Sequence, residues 1–194
     1  MCPEVAVIHV RGRIAPGGAA WVPLLVCLVV AASGCLATPT AQREPTSPLR
    51  INEVMPSNSA TIADPSGEFD DWIEIYNPST RAVSLEGYAL TDDPREPQRS
   101  VVGEGVVVEP GGYALLWADR QSAQGPTHLG FRLNAGGEVL ELTAPDGSVV
   151  DLFEYLRAPT DFSFARFPDG EGALTLCAQP SPGRSNGNAC GGAP

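Results

Sequence analysis

The chain contains no lysine. All 12 of its basic residues are arginine, set against 23 acidic residues for a net charge of −11. A field of that sign repels phosphate backbones and anionic headgroups, so nucleic acid is excluded as a partner. Histidine is almost as scarce, with only His9 and His128. There is no G-x-S-x-G elbow, no H-E-x-x-H pair, no phosphate-cradling glycine loop and no lysine base. His128 falls in a loop pattern and reads as a polar surface residue. Carboxylate pairs such as Glu138 and Glu141 stand three apart on a strand pattern, which points them to opposite faces and suits acid and base work poorly. An enzyme is therefore not expected. Long hydrophobic runs are missing too, since the apolar run from Ala19 to Ala32 is too short to cross a bilayer.

What is present is strand and turn. Ile51 and Val54, Ile73 and Ile75, Val83 and Leu85, and Tyr88 and Leu90 form short apolar runs divided by Asn, Pro, Ser, Gly and Asp. Val139 to Thr143 and Val149 to Phe153 flank Ala144-Pro145-Asp146-Gly147-Ser148, where Pro presets φ and Gly takes the left-handed position, so a hairpin is expected there. Tyr113, Leu115 and Trp117 alternate with Ala114, Leu116 and Ala118, giving a strand with two apolar faces that belongs in the middle of a sheet. Trp72 and Trp117 read as core or rim packing. About 140 residues of this kind bury enough surface for one core without a metal or a dense disulfide scaffold.

The order INEV, a polar loop, DWIEIYNPS, then V-x-L-x-GY-x-L-x-DD between Leu49 and Pro94 resembles the lamin tail domain in the form bacteria use on secreted and surface proteins. EPGGYALLWAD from Glu109, LGFRLNAGGEVLELTAPDG from Leu129, FARFPDG from Phe164 and PSPGRSN from Pro180 continue the resemblance in fixed order. It implies an all-β fold, an immunoglobulin-like antiparallel β-sandwich over residues 49–186. It further implies a non-catalytic module, of the sort that accompanies secreted hydrolases and other envelope domains.

Residues 1–34 resemble a lipoprotein signal peptide. Arg11 and Arg13 precede the apolar run, and Ala32-Ser33-Gly34-Cys35 closes it. The resemblance implies cleavage between Gly34 and Cys35, with acylation of Cys35 as the first mature residue; an ordinary secretory signal cut near the same glycine is the alternative. Several acyl chains make anchoring stable where one does not. Leu36 after the cysteine resembles the outer-membrane address, so the expected location is the envelope, anchored by lipid. The Pro- and Thr-rich stretch that follows Cys35, up to residue 48, reads as a disordered tether of about 40 Å. Of the 5 cysteines, Cys2 and Cys27 leave with the signal and Cys35 is acylated. Cys177 and Cys190 remain as one pair in an oxidising compartment, and a disulfide is expected to tie the Gly-rich tail over 187–194 to the last strand.

Asp64, Glu68, Asp70 and Asp71 lie close together in a loop with Pro65 and Gly67, and oxygens gathered on an adaptable loop suit calcium. A solvated turn is the preferred reading, since charged loops are usually just exposed, and their spacing does not match an EF-hand. Asp92, Asp93 and Glu96 form a second acidic patch that could approach the first. No other cofactor is expected. The functional expectation is a membrane-anchored module that binds another envelope protein or an extracellular ligand. Two alternatives stay open: a calcium-assisted carbohydrate-binding or adhesion domain using an exposed Tyr155 or Phe162, and a structural component that self-associates through an edge strand.

Overall fold

A computed structural model describes residues 47–187 and residue 190. The expected cleavage at Gly34, the lipidated Cys35 and residues 36–46 of the expected tether lie outside the described residues. Ser47 is already buried, two positions ahead of the expected domain start at 49.

The strands follow in order β1 (Arg50–Met55), β2 (Trp72–Tyr76), β3 (Val83–Ser84), β4 (Ala89–Thr91), β5 (Ser100–Val101) and β6 (Val107–Val108). They continue as β7 (Tyr113–Ala118), β8 (His128–Leu129), β9 (Gly137–Thr143), β10 (Val149–Leu156), β11 (Ser163–Phe167) and β12 (Ala173–Cys177). One sheet runs β12-β11-β1-β2-β7-β8, the facing sheet runs β10-β9-β4-β5, and β3 pairs with β6 at the side. This is an immunoglobulin-like β-sandwich. Pairing is antiparallel except that β8 joins β7 in parallel. Among the described residues no helix is long and apolar enough to cross a membrane.

The two sheets close on one core. Ile51, Val54, Ile73, Ile75 and Leu116 from the larger sheet meet Leu90, Leu140, Leu142 and Phe153 from the smaller, all fully buried. Each such side chain contributes about 1.5–3 kcal/mol on leaving water. Ile51 and Val54 share this face although they are three apart, because the register between β1 and β2 shifts at Asn52. A β-bulge absorbs the extra residue and turns Glu53 and Met55 onto the opposite face.

That outer face of the large sheet is covered as well. Met55, Trp72 and Trp117 stand in one cross-strand row and form a second buried cluster with Ile62 from the loop before β2. The two tryptophans are thus packing residues, and β7, flanked by β2 and β8, is the two-faced inner strand its alternation implies. The β9–β10 hairpin closes where Ala144 donates to Ser148 O at 2.8 Å, with Gly147 at φ 81°.

Candidate functional site

Three places on the sandwich gather chemistry. The first lies on the outer face of the large sheet, one row along from the tryptophans. The bulge at Asn52 and the alternation in WIEIY place Glu53 and Glu74 there as cross-strand partners, and both are fully buried. The tail from Pro180 lies over them. Ser181 donates its amide to both Glu53 oxygens at 3.1 Å and its hydroxyl to Oε2, while Ser163 donates to Oε1. Glu74 takes the Gly183 amide at 2.6 Å and the Asn52 side-chain amide at 2.9 Å. Asp169 accepts from Asn52, Tyr113, Ser185 and the Asn186 amide. Burial drives Glu74 up to about 8, the Glu53 and Asp169 charges adding to it and the Asn52 and Gly183 amides opposing it. Burial likewise raises Glu53 against the donors from Ser163 and Ser181. Asp169 moves the other way, because four hydrogen bonds outweigh its own burial. Three of the pair's four carboxylate oxygens accept from the tail and the fourth from Asn52 on β1, so the pair is a structural clamp.

The disulfide acts on the same tail. Cys177 at the end of β12 is bonded to Cys190, and both are buried beside Ala165.

The second place is the acidic loop. Asp64 closes it by accepting the Ser66 and Glu68 amides on Oδ1 at 2.9 and 2.7 Å. The structure brings Asp64, Glu68 and Asp70 together, with one carboxylate oxygen of each within 4.8 Å of the others. Asp71 does not join them. Neighbouring residues of an extended chain face opposite ways, and the Asp71 carboxylate instead accepts the Asn58 amide at 3.1 Å. Its burial pushes it up to about 6. Asp70 is raised by burial and then by the charges of Asp119, Glu68 and Asp64.

Sequence reasoning missed two members of this neighbourhood. His128 is a buried residue of β8, paired with Trp117, and not a surface loop histidine. Its Nδ1 is hydrogen-bonded to Asp119 Oδ2, and its Nε2 lies 3.9 Å from Asp64 Oδ2. Asp119 also accepts the Gln121 amide at 2.7 Å. Only the parallel β7–β8 pairing brings His128 here, and no local pattern announces it. The second acidic patch is spoken for: Asp93 pairs with Arg95 at 2.6 Å and Asp92 with Arg99 at 2.7 Å. Tyr155, one of the two aromatics that the carbohydrate-binding alternative would use, is buried in the core with its hydroxyl on Glu138 at 2.7 Å, while Phe162 is half-buried.

The third place is the outer face of the small sheet. Register sets Val149, Thr143, Ala89 and Val101 in one row and Leu152 opposite Glu141 in the next. Val101, Val149, Leu152 and Leu156 are 53, 52, 52 and 71% exposed. A wide open hollow of about 740 Å³ lies elsewhere, against Ser57, Gly136, Arg157 and Thr160.

No curated protein and no solved structure matches the chain. One family model does, across residues 42–157, from ahead of β1 to the end of β10. The clamp extends beyond that stretch, since Glu53 and Glu74 lie inside it and the tail they hold lies outside. On this match the chain belongs to the lamin tail domain family, whose members are non-enzymatic immunoglobulin-like domains.

Proposed function

We propose that this chain is a binding module of the cell envelope, exported and anchored by acyl chains on Cys35, whose sandwich holds another envelope protein. The observation that carries the reading is the apolar outer face of the small sheet, where Val101, Val149, Leu152 and Leu156 stay about half exposed or more. Apolar side chains gathered on one face mark a surface that a partner covers. Glu141 and Glu154 share that face, and the whole chain is strongly acidic, so the partner surface that fits is an apolar ridge with a basic rim. Contact through side chains is favoured over addition of a strand to the β10 edge, because Arg166 Nη2 already occupies the Leu152 carbonyl at 2.9 Å.

The test is capture from membranes with the lipidated full chain as bait, in the original form and with Leu152→Arg plus Leu156→Arg. The expected result is one protein retained by the original and lost with the double variant at unchanged melting temperature. Equal recovery by both baits would overturn the surface. The anchor is tested separately: a fatty-acid analogue should label the original and spare Cys35→Ala, and equal labelling removes that part of the proposal.

A further inference from the structure

Two carboxylate oxygens in the acidic loop have neither a hydrogen-bond donor nor contact with water, namely Asp64 Oδ2 and Asp70 Oδ2. The Asp64 side chain is completely buried. A buried anionic oxygen without a donor is costly, and such groups are almost always paired with a proton donor or a cation. Asp64 Oδ1 is spent on the Ser66 and Glu68 amides, so Oδ2 is the oxygen left over. Glu68 stands beside it, with Oε2 steadied by the side-chain amides of Gln121 and Gln124 at 3.1 and 2.9 Å. One oxygen from each of the three carboxylates lies within 4.8 Å of the others.

We infer that Asp64, Glu68 and Asp70 bind one divalent cation of the calcium type, which ties together the loop between β1 and β2. Oxygens at about 2.3–2.6 Å from a common calcium ion lie at most about 5 Å apart, and the three carboxylates meet that spacing. The set holds only oxygen donors, which favours a hard ion over zinc or copper. Calcium accepts the irregular geometry of an exposed loop, and water fills the remaining positions, whereas magnesium demands a near-ideal octahedron. Three other polar side chains stand near. His128, held on Asp119 through Nδ1, faces Asp64 Oδ2 at 3.9 Å, and Arg132 donates Nε to the Asp119 carbonyl at 3.1 Å. Neither His128 nor Arg132 hydrogen-bonds to an orphaned oxygen. The bound ion would also steady the cover over Met55, Trp72 and Trp117, because Ile62 of the same loop packs on that cluster.

The experiment is calcium titration of the chelator-stripped full chain by calorimetry, paired with thermal melting in 10 mM calcium, 10 mM magnesium or chelator. One ion is expected to bind per chain. Calcium is expected to raise the midpoint by at least about 3 °C, and magnesium by less. Asp64→Asn keeps an acceptor for the turn amides but removes the charge. It should abolish the calcium shift while melting no lower than the original chain in chelator, because an orphaned anion is gone. Glu68→Gln, at an exposed position, should weaken calcium at least tenfold and serves if Asp64→Asn fails to fold. Glu109→Gln, at an exposed position in the turn before β7, should change nothing. No heat and no shift with calcium would overturn the site, as would a shift that survives Asp64→Asn or, where that variant does not fold, Glu68→Gln. An Asp64→Asn chain that melts well below the original in chelator would also overturn it, showing that His128 or Arg132 already serves as the counter-charge.

Discussion

Glu74 on β2 accepts the backbone amide of Gly183 at 2.6 Å, across a sequence separation of 109 residues. An inner strand of the lamin-tail match thereby holds a turn that lies well past the end of that match. The carboxyl group is raised to about 8 from an ordinary value of 4.5, chiefly by burial. Between those two values the folded chain binds more protons than the unfolded chain. The stability from this group is therefore fully present below about pH 4.5 and is lost as the pH rises through about 8. Urea unfolding from pH 5 to 9 should show a decline on the order of 2–4 kcal/mol, and Glu74→Gln should flatten most of it. An unchanged slope in Glu74→Gln would assign the decline to another group.

The disulfide and the clamp hold the same tail independently. Cys177 and Cys190 are 13 residues apart, and closing a loop of that size stabilises by about 3 kcal/mol in the chain-entropy model. Replacing both with Ser should lower the melting midpoint by about 6–12 °C. Tryptophan fluorescence of the folded state should stay as it was, because Trp72 and Trp117 sit under the other loop and the Glu53 contacts to Ser181 remain. A midpoint that does not move would mean the clamp alone fixes the tail.

Much of this architecture was legible from local chemistry. The β9–β10 hairpin follows from its Pro-Asp-Gly turn, and the inner position of β7 from its two apolar faces. The clamp was hidden, because Glu74 alternates with core residues, Glu53 reaches the same face only through the bulge at Asn52, and a carboxylate on the non-core face of a strand ordinarily meets solvent. Their burial depends on the tail from Pro180 folding back over more than a hundred residues, which no local pattern encodes. His128 was misread for a related reason. A two-residue strand paired in parallel with β7 has too few residues to show a period, and the contacts of His128 with Asp119 and the acidic loop come from that pairing. The acidic loop itself was recognisable as a cluster, whereas the separation of Asp71 from it required the Asn58 contact.

Gly172 closes the β11–β12 hairpin in a space that admits no side chain. A Cβ there would lie 1.8 Å from the Phe167 carbonyl oxygen, which is backbone and cannot swing aside. Gly172→Ala should cost more than about 3 kcal/mol by denaturant unfolding, since the turn must open and β12 loses its register with β11. The sister variant Gly105→Ala meets no atom within 4 Å and strains only a positive φ, so its loss should be nearer 1 kcal/mol. Equal costs at the two positions would show that backbone conformation, and not the close approach, decides.

Asp161 ties the loop after β1 to the turn before β11. Its carboxylate accepts the Ser59 and Ala60 amides at 2.7 and 2.9 Å and the Ser59 hydroxyl at 2.6 Å, while its own backbone sits at φ 61°. Hydrogen bonds from Ser59 hold the carboxyl below its ordinary value, so the contribution is present at neutral pH and fades as the pH falls through the lowered value. Asp161→Asn tolerates the left-handed backbone and keeps one acceptor oxygen, whereas Asp161→Ala does neither. Hydrogen exchange at Ser59 and Ala60 should accelerate modestly in the Asn variant and strongly in the Ala variant, with β9 and β10 unaffected in both. Acceleration that reaches β9 and β10 would mean the loop is cooperative with the whole sandwich and not a separately held cover over the Met55, Trp72 and Trp117 cluster.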